Sequence, residues 1–256
     1  MTDKLIMRVP HIIFLYWIIK IAATTLGETG ADMFSMTFDL GYGTTIILFM
    51  AIFVIFLTIK ISLKRYEPFT YWITFTATAI AGTAISDFID RTLGLGYATG
   101  SMILLLMLCI ILSLWYIKER SLSVENIGTA VAETFYWMAF LIANTLGTAA
   151  GDYLSDDLSL GFSQGAMLIG MVLIFISLLY YFSGISRVVL FWIAFVLTRP
   201  FGATFGDLLT KPVEQGGLDF GTIGSSAFFA TLLVIALIFE FRREKKLRHS
   251  FLTSVE

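Results

Sequence analysis

Four times along this chain a Trp is followed, ten residues on, by a Gly, and four residues after that by a small residue and an Asp. The copies are Trp17/Gly27/Ala31/Asp32, Trp72/Gly82/Ser86/Asp87, Trp137/Gly147/Gly151/Asp152 and Trp192/Gly202/Gly206/Asp207. Each copy lies inside a long apolar stretch, so one acidic residue is set four times at one depth of a hydrophobic structure. A fold that accepts this chain must be internally repeated and must accommodate the acids.

Composition decides the solvent. Hydrophobic residues make up 57% and charged residues 14% of the 256 positions, with a mean hydropathy of +0.85. That leaves too little polar surface to cover a soluble globule, and the partner of the exterior is a lipid bilayer. The net charge of -2 provides no basic groove for nucleic acid. Cys109 is the single cysteine, and His11 and His249 stand at opposite ends of the chain, which excludes disulfide frameworks and thiolate or imidazole metal sites. The first apolar run, from Ile12, has no small-residue cleavage site and reads as a retained helix rather than a signal peptide.

A bilayer core of about 30 Å takes roughly 20 helical residues. Segments of that kind recur at 10–30, 43–63, 68–88, 97–117, 130–152, 161–182, 187–207 and 221–241, and only helices satisfy their own backbone in lipid at such lengths. The expectation is an all-α integral membrane protein with eight transmembrane helices, one transmembrane domain over 1–256. Its four units cover about 10–63, 68–117, 130–182 and 187–241, followed by a basic cytoplasmic tail, 242–256.

Each unit reads as an αα-hairpin whose second helix starts near Leu40/Tyr42, Leu95/Tyr97, Leu160/Phe162 or Leu218/Phe220. An even number of spans per unit makes the repeats parallel, related by rotation about the membrane normal. The Trp residues are 55, 65 and 55 positions apart, which suggests a two-plus-two arrangement, and the fourth outer loop carries three extra residues. Lys4, Arg8, Lys60, Lys64, Arg65, Lys118, Arg120, Arg187 and the run from Arg242 to Arg248 gather on the side of the termini, so both termini are expected in the cytoplasm. The opposite side collects acids against only Arg91 and Lys211.

The glycines suit close helix packing, for which a small residue every fourth position lets backbones approach. Counted from Glu67 or Arg187, Asp87 and Asp207 come 20 residues later, about 30 Å at 1.5 Å per residue, near the outer boundary of the hydrocarbon. There an Asp either caps a turn and hydrates or belongs to a site. The Trp residues, each preceded by Tyr16, Tyr71, Tyr136 or Phe191, read as an aromatic belt or plain packing.

Three charges fall within spans and are costly there. Lys20 and Glu28 sit two turns apart in the first helix, and Arg199 stands where the other units have Thr24, Ala79 and Asn144. The expected structural roles are a Lys20–Glu28 pair, or Arg199 with an Asp of a neighbouring unit. The functional role is a counter-ion, Lys20 or Arg199 with Asn144 alongside, that competes with a transported cation. Glu28, Asp32, Asp87, Asp152 and Asp207 against Lys20 and Arg199 leave three unbalanced negative charges, which protons or a bound cation must offset. Carboxylates with Thr24, Thr83, Asn144, Thr148, Thr204 and backbone carbonyls make an oxygen-only ligand set suited to Mg²⁺, Ca²⁺, Mn²⁺, Na⁺ or protons.

With these four tandem two-span units, each bearing a Trp at 17, 72, 137 or 192, residues 10–241 resemble the bacterial "repeat of unknown function" membrane proteins. The resemblance implies an eight-helix protein of the bacterial inner membrane and carries no established activity. The residues themselves point to a transporter for a hard cation such as Mn²⁺ or Na⁺, proton-coupled, with Asp32, Asp87, Asp152, Asp207 and Glu28 as the ion site. A bound divalent cation is the one cofactor that set would hold. The alternative is a non-transporting sensor or scaffold whose Asp residues are structural. An enzyme is not expected, since no nucleophile–base pair, H-E-x-x-H motif or glycine-rich phosphate loop occurs.

Overall fold

The computed structural model describes residues 8–124 and 127–253, with side chains as far as Lys246. Lys4 and the side chains of Arg248 and His249 lie outside the described residues. Eight α-helices and no strand occur among them: α1 (Phe14–Asp32), α2 (Gly41–Leu63), α3 (Pro68–Asp87), α4 (Tyr97–Glu119), α5 (Ala130–Asp152), α6 (Gly161–Phe182), α7 (Arg187–Thr210) and α8 (Thr222–Thr253). Six of them, α2, α3, α4, α6, α7 and α8, are long and apolar enough to cross a membrane, as a multi-pass membrane protein requires. In α1 and α5, polar residues such as Lys20, Glu28, Glu133 and Asn144 interrupt the apolar run.

Local sequence explains the helix ends. Glu67 accepts hydrogen bonds from the Phe69 and Thr70 amides, with Pro68 in the first turn, and Thr129 accepts from Ala132; both are N-caps that satisfy otherwise unpaired donors. After Asp32, Asp87 and Asp152 the backbone widens into a five-residue π-helical turn: Met33–Thr37, Phe88–Thr92 and Tyr153–Asp157. Each closes with the same amide-to-carbonyl bond five residues back, Phe38 to Met33, Leu93 to Phe88 and Leu158 to Tyr153. α7 lacks this turn and continues to Thr210.

The turn into each second helix also repeats. Asp39, Gly94, Ser159 and Asp219 have φ between 54° and 70°, and Gly41, Gly96, Gly161 and Gly221, two residues on, have φ near 71°. In the fourth unit Phe220, not Leu218, therefore takes the place of Leu40. Twelve residues separate Asp207 from Asp219 where seven separate Asp32 from Asp39, so the fourth loop carries five extra residues rather than three. α8 likewise does not stop at 241. It runs through Arg242–Lys246 to Thr253, because Glu, Lys and Arg are good helix formers.

The inner helices α1, α3, α5 and α7 form a closed ring, each packed on the next and α7 on α1. The outer helices correct the hairpin expectation: α2 lies chiefly on α3, α4 on α5, α6 on α7 and α8 on α1. Each second helix thus packs on the inner helix of the following unit, and the ring is interlocked. Burial is reversed relative to a soluble bundle. Most of α3 and α5 is buried, while Ile47, Ile55, Met102, Leu106, Met167, Ile174, Phe228 and Phe239 of the outer helices point outward, as lipid contact demands.

Candidate functional site

The residues that face the ring axis recur at steps of four, beginning one before each Trp, so equivalent side chains from the four inner helices meet level by level. At one end lie Tyr16, Tyr71, Tyr136 and Phe191, with the Tyr71 and Tyr136 hydroxyls hydrogen-bonded at 2.5 Å. The Trp rings fill the seams between units: Trp72 packs on Tyr16 at 5.6 Å, Trp137 on Tyr71 at 5.2 Å and Trp17 on Phe191 at 5.9 Å. Trp115 of α4 closes the remaining seam between Tyr136 and Trp192. Trp72, Trp137 and Trp192 are buried while Trp17 is partly exposed, so of the two expectations for the repeated Trp, packing describes the first three.

The next level holds Lys20, Phe75, Phe140 and Phe195. Phe140 stacks on Phe195 at 4.0 Å and meets Phe75 edge-on at 5.6 Å. The Lys20 ammonium sits 3.8 Å from the Phe195 ring centroid, an attractive cation–π placement. Lys20 donates to the Phe195 carbonyl at 2.8 Å and to the Thr198 hydroxyl. It does not pair with Glu28, contrary to expectation. Eight residues separate the two along α1, beyond the three or four at which helix side chains meet.

Above the rings the axis becomes polar. Thr24, Ala79, Asn144 and Arg199 share one level, and Glu28, Thr83, Thr148 and Ala203 the next. Arg199 pairs with Glu28 of the adjacent unit, Nη2 to Oε2 at 3.2 Å, rather than with the Asp that its depth suggests. Its Nη2 also reaches the hydroxyls of Thr83 and Thr148 and the Ala79 carbonyl, and Nη1 donates to the Thr24 carbonyl at 3.1 Å. Asn144 donates to Thr78 Oγ1 at 3.0 Å. These levels are held close by the glycines. A Cβ on Gly27 would lie 2.6 Å from Ala79 Cβ, one on Gly82 3.0 Å from Asn144 Cβ, and one on Gly202 2.6 Å from Thr24 Oγ1, while one on Gly147 would collide with the Arg199 stem. Each glycine thus receives the equivalent residue of the next helix, and the backbones gain dispersion contacts that a larger side chain would prevent.

Asp32, Asp87, Asp152 and Asp207 form the last level. All four are buried, and none of Asp32, Asp87 and Asp152 caps the turn that follows it. The two bases of that side turn inward onto them. Arg91 bridges Asp87 of its own unit (3.3 Å) and Asp152 of the next (3.6 Å), and Lys211 bridges Asp207 (3.2 Å) and Asp32 (2.7 Å) in the same fashion. Both bases lie four residues after an Asp, so only the second and fourth units carry them. Lys211, past the end of α7, keeps its proton well above the ordinary lysine range: burial opposes the charge, and Asp207 and Asp32 outweigh it. Arg91 and Lys211 reduce the unbalanced charge of the axis from three to one. Among the described residues no three Asp, Glu, His or Cys side chains converge as a metal cage.

Glu133, which stands outside the repeated motif, lies at the aromatic end. It is fully buried, with Oε2 on Arg8 at 2.7 Å and Oε1 on Lys60 at 2.9 Å. Lys60 and Arg8, flanking charges by sequence, are interior partners of an acid. An apolar cleft of about 170 Å³ opens elsewhere, on the outside between α2, α3 and α8, lined by Phe49, Ile52, Trp72 and Leu233; it offers an ion nothing.

An apolar exterior around a charged axis, built from four similar units, defines a helical, internally repeated membrane protein. The chain belongs to the family described as Repeat of Unknown Function (DUF347), whose model matches four times in tandem, at residues 15–66, 70–121, 135–186 and 190–246. No curated protein matches it, and no solved structure does.

Proposed function

We propose that this chain is a transporter for a small cation, coupled to proton movement, with the axis between α1, α3, α5 and α7 as its path. In this reading all eight helices cross a bacterial inner membrane as four parallel repeats about the membrane normal, both termini cytoplasmic and the Asp level outermost. Asp32, Asp87, Asp152 and Asp207 form the outer station and Glu28 the inner one. Arg91, Lys211 and Arg199 are tethered counter-cations that yield when the mobile ion arrives.

One observation carries the proposal: five buried acids face the axis against four bases, Lys20, Arg91, Arg199 and Lys211. A net negative charge in a low-dielectric interior must be offset by something that is not a side chain, a proton or a cation. A resident divalent metal is not required, and the pairwise bases favour exchange over a permanent cage.

A second reading, a non-transporting sensor or scaffold, draws on the aromatic levels that close one end of the axis and on the pairing of every Asp. Proteoliposomes separate the two. Transport predicts that Asp87→Asn with Asp152→Asn lowers flux of Na⁺, Mn²⁺, Mg²⁺ or Ca²⁺, or the accompanying proton flux, more than about tenfold while the protein stays folded. Wild-type protein that moves none of these ions, or flux untouched by the substitutions, removes the Asp level from any transport role.

A further inference from the structure

Residues 8–13, ahead of α1, do more than lead into it. Arg8, Val9 and Pro10 are buried although they belong to no helix, and Val9 shares an apolar core with Tyr16, Tyr71 and Tyr136. Arg8 donates to Glu133 Oε2, in the first turn of α5, at 2.7 Å. In the closed ring α1 and α5 are diagonal members, each packed on α3 and α7. A segment that runs from the start of α5 to the start of α1 therefore lies across the aromatic end of the axis. Extended chain gains about 3.3–3.6 Å per residue, which gives these residues the reach.

The segment is held lightly. Among the described residues no backbone hydrogen bond joins 8–12 to another element, and His11 and Ile13 are exposed. Its polar anchor is Arg8, and Glu133 does not depend on that anchor, because Lys60 already lies on Oε1 at 2.9 Å. Arg8 is thus a second base on one acid. Its departure leaves a neutral, hydrogen-bonded Glu133–Lys60 pair instead of a bare buried charge, the outcome that ordinarily makes breaking a buried ion pair costly. The docked guanidinium is also incompletely served: Arg8 Nε is buried with no hydrogen-bond partner among the described residues, and water would supply one.

We propose that residues 8–13 are a detachable strap over the aromatic end of the axis, latched by Arg8 on Glu133, and that its release admits water to the Tyr level. Lys60 is the resident partner of Glu133 and Arg8 the removable one. Val9 seals the closed state by packing, and a single apolar side chain is a seal that local opening can break. Calling this end a gate for ions rests on the transport reading; the strap itself does not.

The test is thiol labelling with a membrane-impermeant maleimide, in a Cys109→Ala background because Cys109 is exposed. Val9→Cys reports the strap. Ala132→Cys, buried four residues before Tyr136 on α5, reports the end beneath it, and Ala31→Cys, buried at the Asp end, is the control. Adding Arg8→Gln should speed labelling at the first two positions about tenfold, as loss of one charge-assisted hydrogen bond from the closed state predicts. The control should not change, and Arg8→Lys should stay closer to the parent rate. No acceleration, acceleration of Val9→Cys without Ala132→Cys, or equal acceleration of all three, which is general loosening, overturns the strap. If Arg8→Gln cannot be purified, the protein with Arg8 intact decides: local opening makes Val9→Cys label at least about tenfold faster than Ala31→Cys, and equal rates overturn it. Absence of ion flux in proteoliposomes would reject the transport reading and leave the strap, whereas failure of the labelling pattern rejects the strap alone.

Discussion

The two ends of the axis are built on the same backbone and held by opposite chemistry. At the aromatic end, Tyr and Phe rings from four helices meet face and edge, with Lys20 resting on Phe195 and the buried Arg8–Glu133–Lys60 group at the same end. At the other end four carboxylates are tied in pairs by Arg91 and Lys211, two bases that still reach solvent, with Arg91 about one-third exposed. The glycine seams run between them in one register. Helix association is thus set by small residues common to all units, and the character of each end by what stands four residues further along. The aromatic end has Phe191 in place of a Tyr and Lys20 in place of a Phe, whereas the Asp end has a regularity of its own. Only alternate units supply a base, so its charge pattern repeats twice around the ring, although the backbone repeats four times.

Attacking the shared seam should erase the contrast, and it carries the largest expected effect. In Gly202→Leu the new Cβ would lie 2.6 Å from Thr24 Oγ1 and 3.0 Å from that residue's backbone carbon, so the α7–α1 contact must open. Neither end survives that, and folded protein should be lost on size-exclusion chromatography, a cost of more than about 4 kcal/mol. By contrast, a methyl group on Gly43 of α2 would meet nothing within 4 Å, and the backbone there has an ordinary φ. Gly43→Ala should therefore stay within about 0.5 kcal/mol of wild type.

The middle effect sharpens the account of the Asp end. Arg91→Met removes the base that Asp87 and Asp152 share, and should cost about 1–3 kcal/mol in denaturant unfolding, less than a fully buried pair because water reaches the guanidinium. Adding Asp87→Asn and Asp152→Asn should recover most of the loss, since the uncompensated charge is what costs. Full additivity of the three substitutions would mean that Arg91 does not hold these acids.

Much of this architecture is legible in the sequence, and what is not has physical reasons. Helix starts at 68, 97, 130, 161 and 187 follow from apolar length, with side-chain caps at 68 and 130, and the four Asp residues are recognisable by register alone. Partner identity is harder. Lys20 and Glu28 look like a pair because they share a helix, yet contacts within a helix reach only three or four residues, and Lys20 turns to α7 instead. Arg91 and Lys211 look like loop charges, although their spacing of four from Asp87 and Asp207 marks an ion pair across one helical turn. Lys60 passes for a flanking charge because long basic side chains at helix ends ordinarily reach toward water. It is interior because Glu133, an acid in the first turn of α5, meets it there. The π turns after Asp32, Asp87 and Asp152 span too few residues to leave a periodic trace.

The smallest effect probes the aromatic end. The Tyr71 and Tyr136 hydroxyls bond each other, with the Tyr16 hydroxyl beside Tyr71 on the same level. Tyr71→Phe leaves the Tyr136 hydroxyl without that partner, which should cost about 1 kcal/mol. Tyr71→Phe with Tyr136→Phe removes donor and acceptor together and should be close to neutral, so the double variant is expected to be more stable than either single one. The Asp end should behave alike in sign and differ in size, because desolvating an unpaired charge costs more than desolvating an unpaired hydroxyl. A double variant less stable than both singles would mean that the hydroxyl pair is more than two mutually satisfied groups, and that the aromatic end, like the Asp end, depends on its polar atoms.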